Sequence, residues 1–395
     1  MILEKQSVGI DIAKKTFTAC ICKRNLNTNQ GLTLSEVRTF TNDKTGFNQL
    51  TKWVSKNSEK EHPISFAMEA TGIYYEQLAY HLHGIGKRVS VLLPNKVTHF
   101  TKSLNIKTKT DDIDATVIAM MNCERLLKEW VPASPIFKRL RSITRAFQAL
   151  QGDKIQTISR LKGIECGFEP LEEVVEIHKS TIKNIDNELK KLVNMMKNTL
   201  KSDENIWSKV EDLMTIKGIG FKTVAIILAE TQGFALIKNQ RQLVSYCGFD
   251  VIKRESGTSI KGRTKISKKG NSRIRGAMFM PSMTAIRYNK KLKIIYDRIN
   301  EGKQTKSIGL VAVQRRLLVL MYSLWKKNEA YDENYGNSEI SDIHKEEVPS
   351  SSSTRRVEIK SSEEKVDGTK KHPSTQNEHL HNHLSEVLLH QEQIS

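Results

Sequence analysis

The stretch SVGIDIAKKTFTACICK, residues 7–23, decides the fold of the N-terminal part of the chain. It contains two runs rich in β-branched and apolar residues, on either side of a break at Ala13–Lys15. Two such runs joined by so short a connection predict a β-hairpin. Asp11 is the exception within the first run, because apolar residues flank it and a carboxylate buried in a strand needs a partner.

Strand and helix patterns alternate from this hairpin to about residue 125. EVRTFTN (36–42), ISFAMEA (64–70) and RVSVLLP (88–94) predict three further strands. Gly84 is interpreted as the C-cap of a preceding helix. Antiparallel strands followed by strand–helix–strand alternation predict a mixed α/β sheet with helices on its faces. The predicted helices are KTGFNQLTKWVSK (44–56), YYEQLAYHLHG (74–84), KVTHFTKSL (96–104) and DDIDATVIAMMNCERLL (111–127).

Acidic residues are crowded in KTDDIDA, residues 109–115. One interpretation is a helix start, with Thr110 or Asp111 as N-cap and acids in the first turn. The other is a divalent metal site, since a cation turns carboxylate repulsion into attraction. Helical spacing places Asp111 and Asp114 on one face, whereas Asp112 points elsewhere and is expected to be solvated.

Two acids lie on predicted strands and two on the following helix. Asp11 lies in the first strand and Glu69 near the end of ISFAMEA, so these two could converge with Asp111 and Asp114 on one or two hard divalent cations. Mg²⁺ held in this way would bridge phosphate oxygens and activate a nucleophile. The pattern therefore favours metal-dependent chemistry on a phosphate ester.

The charge of the chain indicates a polyanionic partner. Its 395 residues include 63 Lys and Arg against 44 Asp and Glu, a net charge of +19. Residues 329–395 carry 14 acids and 7 bases, a net of −7, so residues 1–328 carry +26. Nucleic acid is the leading partner. We see no apolar run of about 18 residues and no secretory signal, so we expect no membrane partner. No cysteine spacing is typical of zinc sites or disulfides, which predicts a reduced protein. We therefore expect a cytoplasmic, nucleoid-associated location.

The periodicity divides the chain into four parts. An α/β domain covers 1–125, a helical hairpin or coiled-coil linker covers 126–205, and a mostly helical domain covers 206–328. Residues 329–395 are expected to be a disordered acidic tail that is dispensable for activity. Within the third part, LMTIKGIGFKTVAIILAE (213–230) predicts a pair of helices with Gly218 and Gly220 in the turn. One interpretation is that backbone N–H groups of this turn contact a DNA phosphate, and the other is that the glycines serve ordinary helix packing.

A basic, glycine-rich stretch, KRESGTSIKGRTKISKKGNSRIR, occupies residues 253–275. Glycines allow the backbone to approach a phosphate, which backbone N–H groups and cationic side chains then contact. The alternative is a solvated surface loop or a non-specific DNA tether. The cations expected to bind nucleic acid are Lys261, Arg263, Lys265, Lys268, Lys269, Arg273 and Arg275.

Four blocks of this sequence resemble the motifs of the DEDD transposases of bacterial and archaeal insertion sequences. The blocks occur in family order, and the resemblance spans about residues 6–328. They are GIDIAKKTF (9–17), MEATGIYYEQLAYHL (68–82), KTDDIDA (109–115) and SGTSIKGRTKISKKGNSRIR (256–275).

The resemblance implies a ribonuclease H-like, RuvC-like N-terminal domain. Separately, TIKGIGFKTVAIILAE (215–230) in the C-terminal domain resembles a helix-hairpin-helix element. It identifies Asp11, Glu69, Asp111 and Asp114 as a metal-binding catalytic tetrad for Mg²⁺. It identifies Ser256 as the nucleophile that attacks DNA phosphate, with Ser259 and Ser267 as nearby alternatives.

The implied activity is cleavage and rejoining of donor and target DNA through a phosphoserine link. The resemblance further implies a homotetramer built from dimers and a bridge RNA that pairs with both DNAs. Two rival functions stay open: a metal-only nuclease acting on junction DNA, and a non-catalytic nucleic-acid-binding protein.

Overall fold

A computed structural model describes residues 3–25, 31–252, 255–256, 260–261 and 264–333, with only the backbone of 3–4, 255–256 and 260–261. The chain divides into two compact units, one containing Met1–Pro132 and the other containing Ala133–Ser353. The four-part division of the sequence stays a prediction. Most of the predicted acidic tail lies outside the described residues.

The N-terminal unit is built on a six-stranded mixed sheet. The predicted hairpin is confirmed, with β1 (Leu3–Ile12) antiparallel to β2 (Thr16–Asn25). On its other side β1 is parallel to β5 (Ile64–Glu69), which is parallel to β6 (Arg88–Leu92). The short strands β3 (Leu32–Leu34) and β4 (Arg38–Thr41) both pair with β2, and β3 is not predicted from the sequence.

Four helices accompany this sheet, at the positions predicted. The C-cap interpretation of Gly84 is wrong, because Gly84 is the last helical residue and Gly86, with φ of 72°, takes the left-handed position after it. The helices are α1 (Lys44–Asn57), α2 (Glu76–Gly84), α3 (Pro94–Ser103) and α4 (Asp111–Glu124).

The two faces of the sheet have separate cores. Val8, Ile10 and Ile12 of β1 pack in one cluster with α1 and α2. Successive strand residues point to opposite faces, so Ser7, Gly9 and Asp11 face the other layer, where α3 and α4 pack. Gly9 is required there, since a Cβ would lie 2.0 Å from the backbone nitrogen of Ala119 in α4. This close approach brings the strand and the helix into direct backbone contact.

The C-terminal unit is mainly helical. The predicted helical hairpin is formed by α5 (Pro135–Glu165) and α6 (Glu172–Lys201), and Lys154 of α5 pairs with Asp186 of α6 at 2.5 Å. The predicted helix pair around Gly218 and Gly220 follows as α7 (Glu204–Met214) and α8 (Phe221–Thr231). The remaining helices are α9 (Gln240–Tyr246), α10 (Ser272–Ala277), α11 (Phe279–Tyr288), α12 (Lys290–Asn300) and α13 (Ser307–Lys327).

The basic stretch contains short strands before it enters α10. β7 (Val251–Ile252) pairs antiparallel with β10 (Lys265–Ile266), and β8 (Glu255–Ser256) pairs antiparallel with β9 (Ile260–Lys261). We call residues 253–263 the serine segment. The β7–β10 pair lies on either side of it in the sequence, and we call this pair the base of the serine segment.

One helix departs from the expectation that the chain has no membrane-length apolar run. In the described part of the chain, α13 alone has the length and apolar composition to cross a membrane. Leu317, Leu318 and Met321 of α13 are fully buried in the core of the C-terminal unit. These contacts are those of a core helix, and the polar Gln314, also buried, interrupts its apolar sequence.

Candidate active site and nucleic-acid interface

Asp11 and Glu69 lie at the ends of two adjacent parallel strands. The register of β1 and β5 pairs Gly9 with Ala67 and Ile10 with Met68, which brings Asp11 beside Glu69 at the next step. Both side chains are half-buried. The carboxyl ends of parallel strands meet at one sheet edge, which is where open α/β sheets bind ligands.

The packing of α4 on β1 brings the remaining two acids to the same edge. Ser7 Oγ donates to the carbonyl of Ala119 at 2.8 Å, and Gly9 lies against Ala115 and Ala119. Two strand residues and four helix residues each span roughly 6 Å, so the next step places Asp11 at the first turn of α4. That turn carries Asp111, Asp112 and Asp114.

The start of α4 follows the helix-start interpretation of KTDDIDA. Thr110 is the N-cap, and its Oγ1 accepts from the backbone N–H of Ile113 at 3.3 Å. A helix start and a metal site are compatible interpretations, because the first turn of α4 places Asp111 and Asp114 near Asp11. Asp112 is half-buried rather than solvated. It lies near Cys20 of β2, whose thiol pKa is raised by burial and, to a smaller extent, by the charge of Asp112.

Charge repulsion between these acids is evident in their pKa values. Burial and then the charges of Asp114, Asp111 and Glu69 raise the pKa of Asp11 to about 6. Burial and Asp114 likewise raise the pKa of Glu69, and burial raises the pKa of Asp114. Asp11, Glu69 and Asp114 therefore lie in surroundings that disfavour the ionised form of each carboxyl.

Lys109 is a neighbour of this cluster to which the sequence assigned no role. Burial raises the pKa of Glu69 and of Asp114, and the Lys109 cation offsets part of this rise in both. Among the residues that the structure describes, no three Asp, Glu, His or Cys side chains come close enough together to hold a metal ion. The tetrad as a metal site therefore stays a prediction.

The predicted nucleophile lies in the serine segment. Ser256 pairs with Ile260 through the backbone of β8 and β9, and its side chain is outside the described residues. Ser259 and Arg263 also lie outside them, as does the side chain of Lys261. Ser267, the other alternative nucleophile, donates from Oγ to Asp250 Oδ1 at 2.6 Å, so its hydroxyl is already engaged.

The predicted cations after the serine segment are not equivalent. Lys265, Lys268 and Lys269 are exposed. Arg273 is exposed and donates from Nη1 to Gln148 at 3.1 Å. Arg275 is half-buried and donates from Nη1 to the carbonyl of Cys247 at 2.8 Å, so the structure gives it an internal partner.

The two turn glycines also differ. Gly218 has φ of 97°, and a Cβ there would lie 2.8 Å from the carbonyl oxygen of Pro281 in α11. Gly220 is the exposed N-cap of α8, with open space where a Cβ would be. Packing against α11 accounts for Gly218, whereas phosphate contact at the exposed Gly220 stays a prediction.

Sequence comparison decides the family. Residues 8–164 match the family model of DEDD transposases of IS110 elements, described as "Transposase". Residues 210–297 match a second family model, described as "Transposase IS116/IS110/IS902 family". The chain is an IS110-family transposase. Both α4, which contributes two of the acids, and the serine segment fall within the matched residues.

Curated relatives resemble this IS110-family transposase along most of its length. It is 28% identical over 333 residues to the pilin gene-inverting proteins of Moraxella bovis and Moraxella lacunata, which covers 84% of the chain and 98% of each relative. It is also 23% identical over 120 residues to a 43.6 kDa protein of insertion element IS110 from Streptomyces coelicolor, covering 30% of the chain and 29% of that protein.

Similarity to solved structures is weak. A Ppx/GppA family protein of Aquifex aeolicus aligns with 87% of the chain and 99% of its own length, at 9% identity and a TM-score of 0.19. A score that low carries no argument about the fold. Family membership makes the IS110-family transposase a DNA-cutting enzyme, and DNA is its substrate.

Proposed function

We propose that this IS110-family transposase cuts and rejoins DNA through a phosphoserine link at Ser256, assisted by Mg²⁺ at Asp11, Glu69, Asp111 and Asp114. The observation that carries the proposal is the placement of Asp11 and Glu69 at neighbouring strand ends and of Asp111 and Asp114 in the first turn of α4. Burial and the charges of the other three acids raise the pKa of Asp11 to about 6. A ribonuclease H-like or RuvC-like N-terminal fold belongs to the same proposal.

The donor set fits Mg²⁺ chemically. Carboxylate oxygens are the ligands that hard divalent cations prefer, and a cation relieves the repulsion that disfavours ionisation of Asp11. When bound, Mg²⁺ supplies charge stabilisation at the phosphate oxygens and lowers the pKa of a coordinated hydroxyl or water. Lys109, beside Glu69 and Asp114, adds a second positive charge for a DNA phosphate.

In the serine step, the Ser256 hydroxyl loses its proton to a base and attacks the scissile phosphorus. The bond from phosphorus to one deoxyribose oxygen breaks, and that oxygen leaves with a proton. Attack by a deoxyribose hydroxyl of another strand reverses the step and releases Ser256. Because one phosphate ester replaces another, strands are rejoined without ATP or another energy source.

The exposed cations Lys265, Lys268, Lys269 and Arg273 form the proposed DNA surface, together with Gly220 at the start of α8. Phosphate contacts of this kind position the substrate without reading its sequence. Sequence choice would come from a bridge RNA pairing with donor and target DNA, in a homotetramer joined through α5 and α6. The chain would act in the cytoplasm, on the nucleoid.

The reaction class includes inversion of a DNA segment. The relatives that cover most of this chain are named pilin gene-inverting proteins. Inversion and transposition differ in the arrangement of the cut ends, and the same cleavage and rejoining chemistry serves both.

Adduct trapping tests the proposal. The protein, its RNA and end-labelled donor DNA are incubated with Mg²⁺ and denatured, and label migrating with protein is quantified. We expect an adduct in the wild type and in Ser267→Ala, the matched control, and none in Ser256→Ala. Cleaved DNA without an adduct in every variant would instead identify a metal-only nuclease, and binding without strand breakage would identify a non-catalytic protein.

The acids are tested by charge removal in the same assay. We expect Asp11→Asn and Asp114→Asn to abolish the adduct while donor DNA binding stays nearly unchanged, because charge-driven affinity comes from Lys and Arg. Equal loss of binding would make the acids structural. Omission of the RNA tests the guide separately: an unchanged choice of target site without RNA would contradict it.

A further inference from the structure

Glu230 is a buried carboxylate outside the acid cluster. It lies near the end of α8, and its side chain is 3% exposed. The preceding residues Val224–Ala229 are buried and almost entirely apolar. A charge in such surroundings is retained only with close, well-oriented partners.

The carboxylate of Glu230 has two such partners, and its backbone carbonyl accepts a further hydrogen bond. Arg145 of α5 donates from Nε to Oε1 at 2.9 Å and from Nη2 to Oε2 at 3.2 Å. Asn271 donates from Nδ2 to Oε2 at 2.8 Å. The hydroxyl of Tyr246 donates to the backbone carbonyl of Glu230 at 2.8 Å. Burial raises the pKa of Glu230, but the hydrogen bonds from Arg145 and Asn271 outweigh it and the net pKa is lowered. The group is therefore ionised at neutral pH.

Asn271 connects this carboxylate to the start of α10. Its Oδ1 accepts from the backbone N–H groups of Arg273 at 3.0 Å and Ile274 at 3.2 Å, which makes it the N-cap of α10. The backbone N–H of Asn271 donates to the backbone carbonyl of Tyr246 at 2.8 Å. Both Oδ1 and Nδ2 of Asn271 are thus hydrogen-bonded. The orientation of the side-chain amide depends on Glu230, which accepts from Nδ2.

The preceding residue is equally constrained. A Cβ on Gly270 would lie 2.5 Å from the nitrogen of Gly248 and from the carbonyl oxygen of Tyr246. The chain before Asn271 is therefore pressed against the end of α9. Ser267 is joined to Asp250 nearby, by its N–H to the carbonyl at 2.8 Å and by its Oγ to the carboxylate at 2.6 Å.

These contacts all involve the connection between β10 and α10, which follows the serine segment in the sequence. β7 and β10 form the base of that segment, with Ile252 paired to Lys265, and Asn271 lies a few residues beyond β10. The exposed Lys268, Lys269 and Arg273 lie along the same connection. The Glu230 carboxylate is the point at which α5, α8 and this connection are joined.

We propose that Glu230 is a positioning residue for strand exchange, which fixes the base of the serine segment against α5 through Arg145 and Asn271. The role rests on the proposed function of Ser256 and deepens it. Glu230 itself does not touch DNA in this role, because its carboxylate is buried and fully partnered. Its contribution is to hold Asn271, and with it the N-terminus of α10, in a single arrangement.

The test compares Glu230→Gln with Glu211→Gln, the same carboxylate-to-amide change at an exposed residue of α7 in the same unit. We expect adduct formation under single-turnover conditions to fall by about tenfold or more in Glu230→Gln, as for other small misplacements of reacting groups. Donor DNA binding should stay within about twofold, since exposed cations supply the affinity. The control should change neither.

Hydrogen exchange gives a readout that does not depend on activity. In Glu230→Gln, the amides of Arg273 and Ile274 should exchange faster, because Asn271 loses its fixed orientation, whereas amides of α12 should be unaffected. If Glu230→Gln does not fold, Arg145→Lys replaces it. This variant keeps the charge at a 44% exposed side chain but cannot make both hydrogen bonds.

A reciprocal exchange tests the hydrogen bond itself. Asn271→Asp alone places two carboxylates together and should lose adduct formation. Combined with Glu230→Gln, the amide of Gln can donate to Asp, which still caps α10, so activity should exceed that of either single variant. Lack of such recovery would contradict the proposal.

Two other results would overturn it. One is wild-type adduct formation with unchanged exchange at Arg273 and Ile274 in Glu230→Gln. The other is faster exchange throughout the C-terminal unit, which would make Glu230 a general stabilising residue. If the wild type itself forms no adduct, the proposed function fails, and the exchange of these two amides still decides whether Glu230 holds the connection.

Discussion

Burial and repulsion oppose ionisation at Asp11, and both follow from its position. The residue ends a buried strand beside Glu69, and the first turn of α4 adds Asp111 and Asp114. A protein without a use for this arrangement would be more stable with an amide there. Asp11 is thus a residue at which some stability is given up, as is typical of functional sites.

The first prediction concerns pH. The ordinary pKa of Asp11 is 3.8 and that in the folded state is about 6, so folding takes up a proton between these values. The free energy of unfolding should therefore fall as pH rises from about 4 to 6, and stay lowered above pH 6. Allowing for solvent screening of a half-exposed group, the effect is about 1 kcal/mol.

Asp11→Asn removes this dependence because the amide does not titrate. We expect the variant to be more stable than the wild type at pH 7.5 and nearly equal to it at pH 4, as measured by urea denaturation. Mg²⁺ should stabilise the wild type more than the variant at pH 7.5. A variant that is less stable than the wild type at both pH values would show that the carboxylate has a stabilising partner.

A second prediction separates two cations of the basic stretch. Lys269→Ala should weaken DNA binding for all sequences and reduce the salt dependence by about one phosphate contact. Arg275→Ala should instead reduce stability by about 1–3 kcal/mol, since it removes the donor to the buried carbonyl of Cys247. Binding titrations at several salt concentrations, together with thermal unfolding, distinguish them. A salt slope that changes only in Arg275→Ala would reverse the assignment.

Among the elements, the turn between α7 and α8 combines packing and exposure. Gly218 lies against α11, whereas Gly220 begins α8 at the surface. A glycine-containing turn between helices therefore has one structural glycine and one that is open to a ligand.

The third prediction uses these two glycines as a matched pair. Gly218→Ala combines a left-handed backbone with a Cβ 2.8 Å from Pro281, so it should cost about 2–4 kcal/mol. Gly220→Ala should cost at most about 1 kcal/mol, from the poorer N-cap. Any loss of DNA affinity should be larger in Gly220→Ala. Chemical denaturation and binding assays measure both, and equal stability of the two variants would contradict the packing role of Gly218.

Over the whole molecule, charge is divided unevenly between the body and the tail. Residues 1–328 carry +26 and residues 329–395 carry −7. The residues just after α13 still belong to the folded unit, because Tyr331 donates its N–H to Thr215 at 3.0 Å and Glu333 pairs with Lys217 at 2.6 Å. The tail can therefore be removed without loss of these contacts only beyond Glu333.

The fourth prediction follows from that boundary. Truncation after Glu333 should preserve folding and recombination and slightly increase DNA affinity at low salt, because net negative charge is removed. Truncation after Asn328 should lower the melting temperature of the C-terminal unit. Recombination assays and thermal unfolding of both truncated proteins measure these effects, and loss of recombination on truncation after Glu333 would show that the tail is required.

The sequence by itself determined most elements of the N-terminal unit and predicted which of its acids would lie together. Strand and helix periodicity is a local property, so the hairpin at Ala13–Lys15 and helix α4 could be predicted, and the family motifs mark Asp11 and Ser256. The three-residue strand β3 was missed because so short a run carries no periodicity. Gly84 was misassigned because helix ends vary by one or two residues.

Only the tertiary structure decided which of these residues meet. Asp11 reaches the first turn of α4 because Gly9 lets that helix approach β1, a contact between residues over a hundred positions apart. The structure also gives internal hydrogen-bond partners to Arg275 and Ser267. Glu230 follows an apolar run in the sequence, and its carboxylate accepts hydrogen bonds from Arg145 of α5 and from Asn271 at the start of α10. Periodicity reports which face of an element is apolar, whereas the partner of that face is set by packing across the chain.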